Sequence, residues 1–113
     1  MELVQKTAKL PGISGALVAL QDGLLVASEL PGTLNGENLA AFLPQMFARM
    51  GHYTRELKMS EPSSLMLIVD QVPFQVFKTG NVFFLAFGRV GLPLPGLQLQ
   101  AVVAQLERQF QIT

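Results

Sequence analysis

Residues Leu10–Gly32 read LPGISGALVALQDGLLVASELPG. Two apolar runs, Ile13–Leu20 and Leu24–Ser28, flank Asp22-Gly23, and a Pro-Gly pair (Pro11-Gly12, Pro31-Gly32) closes each end. Tight primed turns need positive φ at residues that tolerate it, so Asp-Gly between apolar runs is a strong hairpin signal. The stretch therefore predicts two short-linked antiparallel strands. The remaining elements are read outward from this hairpin.

Upstream, Glu2 to Lys9 reads as a short helix, weakly amphipathic through Leu3, Val4 and Thr7. Downstream, Pro31, Gly32, Asn35 and Gly36 make a loop. Asn35 is placed to cap a helix, and Glu37 suits the positive end of its dipole. That helix is expected to run to about Lys58. Advancing ~100° per residue, Phe42, Tyr53, Met46, Leu39, Leu57, Met50, Leu43 and Phe47 fall in one continuous arc, with Arg49, Glu56, Gln45, His52 and Arg55 opposite. Pro44 removes a hydrogen bond to Ala40, which predicts a kink or a late helix start.

A loop around Pro62 leads to Leu65–Val69, which is apolar at every position, as in a strand buried on two sides. Asp70 to Pro73 turns into a strand from Phe74 to Lys78. Thr79-Gly80-Asn81 turns again, and Val82–Phe87 is a second two-faced apolar strand. Pro93, Pro95 and Gly96 stiffen a loop before a last helix to about Gln109, which buries Leu99, Val102, Val103, Leu106 and Phe110. The order is helix, two strands, helix, three strands, helix. All strand links but one are short enough for hairpins, so the class is α/β of the α+β kind, with an antiparallel sheet and a single domain over 1–113.

The chain has 113 residues, of which 50% are apolar and only 14% charged, against a usual charged share of ~25%. Small domains have much surface for their volume, so this shortage predicts that part of the surface is covered by another copy or by a partner. Net charge is zero, which leaves no electrostatic footprint for nucleic acid or an anionic membrane. The N-terminus has no basic region followed by an apolar core, and the apolar runs are too short to span a bilayer. No membrane insertion is expected, and the cytoplasm is the expected location.

No catalytic, cofactor or metal site is expected. There is no cysteine, and Gly12-Ile13-Ser14-Gly15 follows a turn rather than a strand, with no Gly-Lys-Ser/Thr phosphate loop. Serines 14, 28, 60, 63 and 64 have no base at a recognisable spacing, and the carboxylates are scattered singly. His52 has only Glu56 at helical spacing, which reads as a surface pair.

Leu10–Gly32 resembles the opening hairpin of the Roadblock/dynein light chain family. Phe74–Arg89 (FQVFKTGNVFFLAFGR) resembles that family's last two strands around their turn, and the element order fits nearly the whole chain. The resemblance implies a profilin-like sandwich, a five-stranded antiparallel sheet between helices. It also implies a homodimer, in which two sheets join edge to edge and the long central helices pair across the dyad. Bacterial MglB-type members bind a Ras-like GTPase and stimulate its hydrolysis. Eukaryotic members serve as dynein light chains or as lysosomal scaffolds for small GTPases. The short first helix and Pro44 depart from the pattern.

Three groups of residues carry the functional expectation. Ala40, Ala41, Pro44, Ala48 and Gly51 form a strip of small residues beside an apolar arc of roughly 160°, wider than the ~100° of an ordinary surface helix. The strip reads as the face on which a second helix approaches. The plainer alternative is that the arc is core and the alanines are simply good helix formers. Leu65, Leu67 and Val69 read as an edge strand paired with its counterpart, the alternative being an interior strand. Arg49, His52, Arg55 and Glu56 are the expected GTPase contacts, or else a solvated polar face. An arginine can stabilise charge in GTP hydrolysis, but the family's stimulators reposition the GTPase's own residues, so none is assigned as a finger. Val90, Leu92 and Leu94 lie in a loop that either packs or docks a partner.

The expected function is a non-catalytic homodimeric scaffold that binds a Ras-like small GTPase and biases its nucleotide cycle or location. The alternatives are a small-molecule-sensing module of related architecture and a dynein-type cargo adaptor.

Overall fold

The two strands pair as the sequence predicts, but not through a primed turn, because Gly23 and not Asp22 takes positive φ and the Gly23 amide donates to the Leu20 carbonyl. In the computed structural model, which describes residues 1–110, β1 (Ile13–Leu20) pairs antiparallel with β2 (Leu25–Glu29). The Asp22 carboxylate accepts a hydrogen bond from the Leu24 amide at 3.0 Å. Gly23 takes φ +91°, and a Cβ there would stand 3.2 Å from the Ala41 Cα. Both the left-handed backbone and the close approach therefore require glycine at the turn.

The remaining elements are α1 (Glu2–Ala8), α2 (Gly36–Glu56), β3 (Ser64–Val69), β4 (Val72–Thr79), β5 (Val82–Gly88) and α3 (Gly96–Gln109). The five strands form one sheet in the order β2-β1-β5-β4-β3, and every neighbouring pair is antiparallel. β1 and β5 lie at the centre, which explains their two-faced apolar sequences: Ala16–Ala19 and Val82–Ala86 are all buried. β3 is equally apolar but lies at the edge. The interior-strand alternative for Leu65–Val69 is thereby excluded.

Each face of the sheet carries its own core. Val4, Ile13, Val18, Phe77, Phe84, Leu99 and Leu106 pack on one face, where α1 rests on β1 and β2 and α3 rests on β4 and β5. Leu17, Ala19, Ala40, Leu43, Phe47, Val76, Phe83 and Leu85 pack on the other. Among the described residues α2 is the helix that serves this second face, and it lies closest to β1 and β2. Two helices cover one side of the sheet and one helix covers the other.

Pro44 lies inside α2 without delaying its start, so of the two expected effects, a kink or a late start, the late start does not occur. The helix is continuous from Gly36, started by Asn35, whose side-chain oxygen accepts from the Asn38 amide at 3.1 Å. It ends at Glu56 with Leu57 as C-cap, and Lys58 just beyond takes φ +59°. The Lys58 amide donates to the Arg55 carbonyl at 2.9 Å and the Met59 amide to the Thr54 carbonyl at 2.8 Å, the hydrogen-bond pair of a Schellman terminus. In the loop before α3, Leu94 packs against the core while Val90 and Leu92 stay exposed.

Candidate functional site

The surface singled out by the sequence divides into three parts when folded. Ala40 is completely buried against the sheet, so it has no surface left to meet another copy; its assignment to a seam is corrected. Gly51 is also buried, and a Cβ there would stand 3.8 Å from Arg55 Nη1 and 3.9 Å from the Glu61 carboxylate. The small residues on this side of α2 admit the protein's own chain. A Cβ at Gly23 would meet Ala41 at 3.2 Å, the Ala40 carbonyl at 3.3 Å and Pro44 at 3.4 Å. Ala41 and Ala48 remain exposed. Ala48 lines an open groove of about 400 Å³ with Gln21, Pro44, Arg55, Glu61 and Lys78.

The second part is β3. Register places Leu65 opposite Val76 and Leu67 opposite Phe74, so Leu65, Leu67 and Val69 point to the α2 side of the sheet. Leu65 is half-buried, whereas Leu67 and Val69 are exposed. On the other face Met66 and Ile68 are exposed too. The strand carries no Pro, Lys or bulge, and its register with β4 is unbroken over all six residues. Its outer edge therefore lacks these three deterrents to pairing with another strand.

The third part is the apolar arc from Phe42 to Phe47, for which the core alternative holds only at Leu43 and Phe47, since the buried residues of α2 are Ala40, Leu43, Phe47 and Gly51. Phe42 is 56% exposed, Tyr53 58% and Leu57 69%, and Met50 is exposed beside the half-buried Leu39 and Met46. At 100° per residue these six form one flank of the helix, on the side away from Ala41 and Ala48. The available signal was the width of the arc, which exceeds what one sheet can cover.

Arg49, His52, Arg55 and Glu56 are all exposed on the outer side of α2. Arg55 pairs with Glu61 at 3.4 Å, which ties the loop after α2 back onto the helix. His52 stands edge-on to Tyr53 with ring centroids 5.7 Å apart. An exposed ion pair of this kind is worth little in stability, so the group reads as polar surface open to contact. No group of three or more His, Asp or Glu side chains among the described residues could hold a metal ion. No helix among them is long and apolar enough to cross a membrane.

A family model described as the Roadblock/LC7 domain matches residues 1–87. No curated protein sequence matches the chain. Among solved structures, Myxococcus xanthus MglB is similar with a TM-score of 0.87 at 14% identity, over 97% of this chain and 93% of that one. A structure described as MglB with tetrameric arrangement gives 0.85 at 15% identity, over 97% and 86% of the two chains. The gliding protein MglB from Thermus thermophilus gives 0.84 at 15% identity, over 97% and 87%.

Proposed function

Because the chain belongs to the Roadblock/LC7 family, we propose that it is a single-domain, non-catalytic scaffold that self-associates and holds a Ras-like small GTPase, biasing its nucleotide cycle or its location in the cytoplasm. The observation that carries this reading is the unequal cover of the sheet. Among the described residues α2 alone serves one face, and on that face the apolar flank of α2 and the open edge of β3 are both left bare. Pairing β3 with a second copy satisfies its unpaired backbone groups and extends the sheet. The same step brings Leu65, Leu67 and Val69 of two copies together. Phe42, Met46, Met50, Tyr53 and Leu57 would then cover the partner's half-bare face.

This seam lies on the flank opposite Ala41 and Ala48. Arg49, His52, Arg55 and Glu56, on the outer side of α2, are left free for the GTPase. A tetrameric arrangement is described for one similar MglB structure, which supports self-association as a property of this fold. The clefts among the described residues are open surface grooves, and both sheet faces are filled by Phe, Leu and Val side chains. This favours a protein partner over an enclosed small ligand.

The test is co-elution with a purified bacterial Ras-like GTPase, loaded with GDP or with a non-hydrolysable GTP analogue. A complex selective for one nucleotide state is the expected result. No complex in either state, from a chain that is dimeric, overturns the GTPase reading and leaves self-association standing.

A further inference from the structure

We infer that Met46 and Met50 are an oxidation-sensitive pair that decides whether two copies of this chain assemble, an inference that rests on the self-association proposed above. The chain has five methionines and no cysteine, so thioether is its only oxidisable sulfur. None of the five lies in either buried core. Met46 packs at the margin of the α2-side core, and Met50 is 38% exposed. Four residues apart on a helix, they are neighbours on one face, within the flank that runs from Phe42 to Leu57. An unbranched, polarizable side chain suits an adaptable contact surface, which is where folded proteins often use methionine.

The reactant is a peroxide. The sulfur lone pair attacks one oxygen of hydrogen peroxide, an S–O bond forms, the O–O bond breaks, and the second oxygen leaves as water after proton transfer. Sulfur is oxidised by two electrons and the peroxide is reduced by two. The reaction takes place on the free subunit, where the flank is open, so assembly protects the pair. The product is a polar sulfoxide whose oxygen needs a hydrogen-bond donor. Its neighbours on the flank are Leu39, Phe42, Tyr53 and Leu57, which offer only the Tyr53 hydroxyl. A two-fold seam presents every residue twice, so one oxidised pair becomes four buried acceptors in the assembly. Self-association should weaken by at least about tenfold. Sulfoxide reduction by a methionine sulfoxide reductase restores it.

Sedimentation velocity over a concentration series tests this with three samples: untreated chain, chain treated with hydrogen peroxide, and the treated Met46→Leu/Met50→Leu double variant. Mass spectrometry quantifies sulfoxide at each methionine, and circular dichroism follows the fold. Leucine keeps the side-chain volume close to that of methionine. The expected result is a dissociation constant at least about tenfold weaker in the treated natural chain. The treated double variant should match untreated protein, although its Met59 and Met66 are oxidised. Three results overturn the inference: unchanged association with both sulfoxides formed, equal loss in the double variant, or loss of the helical signal on treatment. A monomeric untreated chain refutes the self-association beneath it, and the first sample alone reveals that.

Discussion

Phe74 on β4 and Phe87 on β5 stand directly opposite each other, with ring centroids 5.3 Å apart and an interplanar angle of 41°, and both remain half-buried. Leu67 pairs with Phe74 from the edge strand. Three apolar side chains therefore form a row that ends at an open sheet edge, on the face that α2 covers only in part. The equivalent pair nearer the middle of the other face, Phe77 and Phe84, is buried under α3.

Leu67→Glu places a carboxylate at the end of that row. It is expected to leave a folded monomer, because the side chain is exposed in the isolated subunit and its burial on assembly would strand an unpaired charge. Light scattering should report the subunit mass, with a circular dichroism spectrum like that of the natural chain. A dimer that survives Leu67→Glu would place the seam elsewhere.

Which side of α2 meets the partner is decided by two substitutions on opposite flanks. Tyr53→Glu should dissociate the assembly, whereas Ala48→Glu, on the groove side, should leave it intact. Size-exclusion chromatography of both at equal concentration makes the comparison. The reverse outcome would restore the small-residue strip as the seam.

Ala40→Leu tests the reassignment of Ala40 to the core. Overpacking a filled interior position is expected to destabilise the subunit by about 1–3 kcal/mol, visible as a lower denaturation midpoint with an unchanged m-value. A neutral effect would mean that α2 is held more loosely than its burial indicates.

Lys58, just past the C-cap of α2, lies in the left-handed region at φ +59°, a conformation that disfavours side chains with a Cβ. Lys58→Gly is expected to stabilise the protein by about 0.5–1 kcal/mol, the relief of strain being partly offset by a more flexible unfolded chain. Thermal denaturation checks this, and a lower midpoint would show that the lysine side chain contributes contacts of its own.

The strands and their order are legible in the sequence because apolar periodicity and turn chemistry agree. An apolar run does not fix a strand's place in the sheet, since Val82–Phe87 lies in the middle and Leu65–Val69 at the edge, but Asp22-Gly23 and Thr79-Gly80-Asn81 mark their turns locally. The Asn35 cap is legible for the same reason, since capping depends on residues three positions apart. The reach of α2 over the sheet is not. A helical wheel ranks residues by angle but does not say how much of the arc the neighbouring surface covers. Angle alone puts Ala40 at the surface and Phe42 in the interior, and tertiary packing reverses both. Pro44 misleads in a similar way about where α2 starts. Its ring sits near the Gly23 turn, a long-range neighbour that a local rule about helix breakers does not see.

The most direct measurement is the molar mass of the unmodified chain by light scattering across a micromolar concentration series. The account predicts a species at twice the 12.3 kDa subunit mass, breaking up on dilution. A mass of 12.3 kDa at every concentration would contradict it.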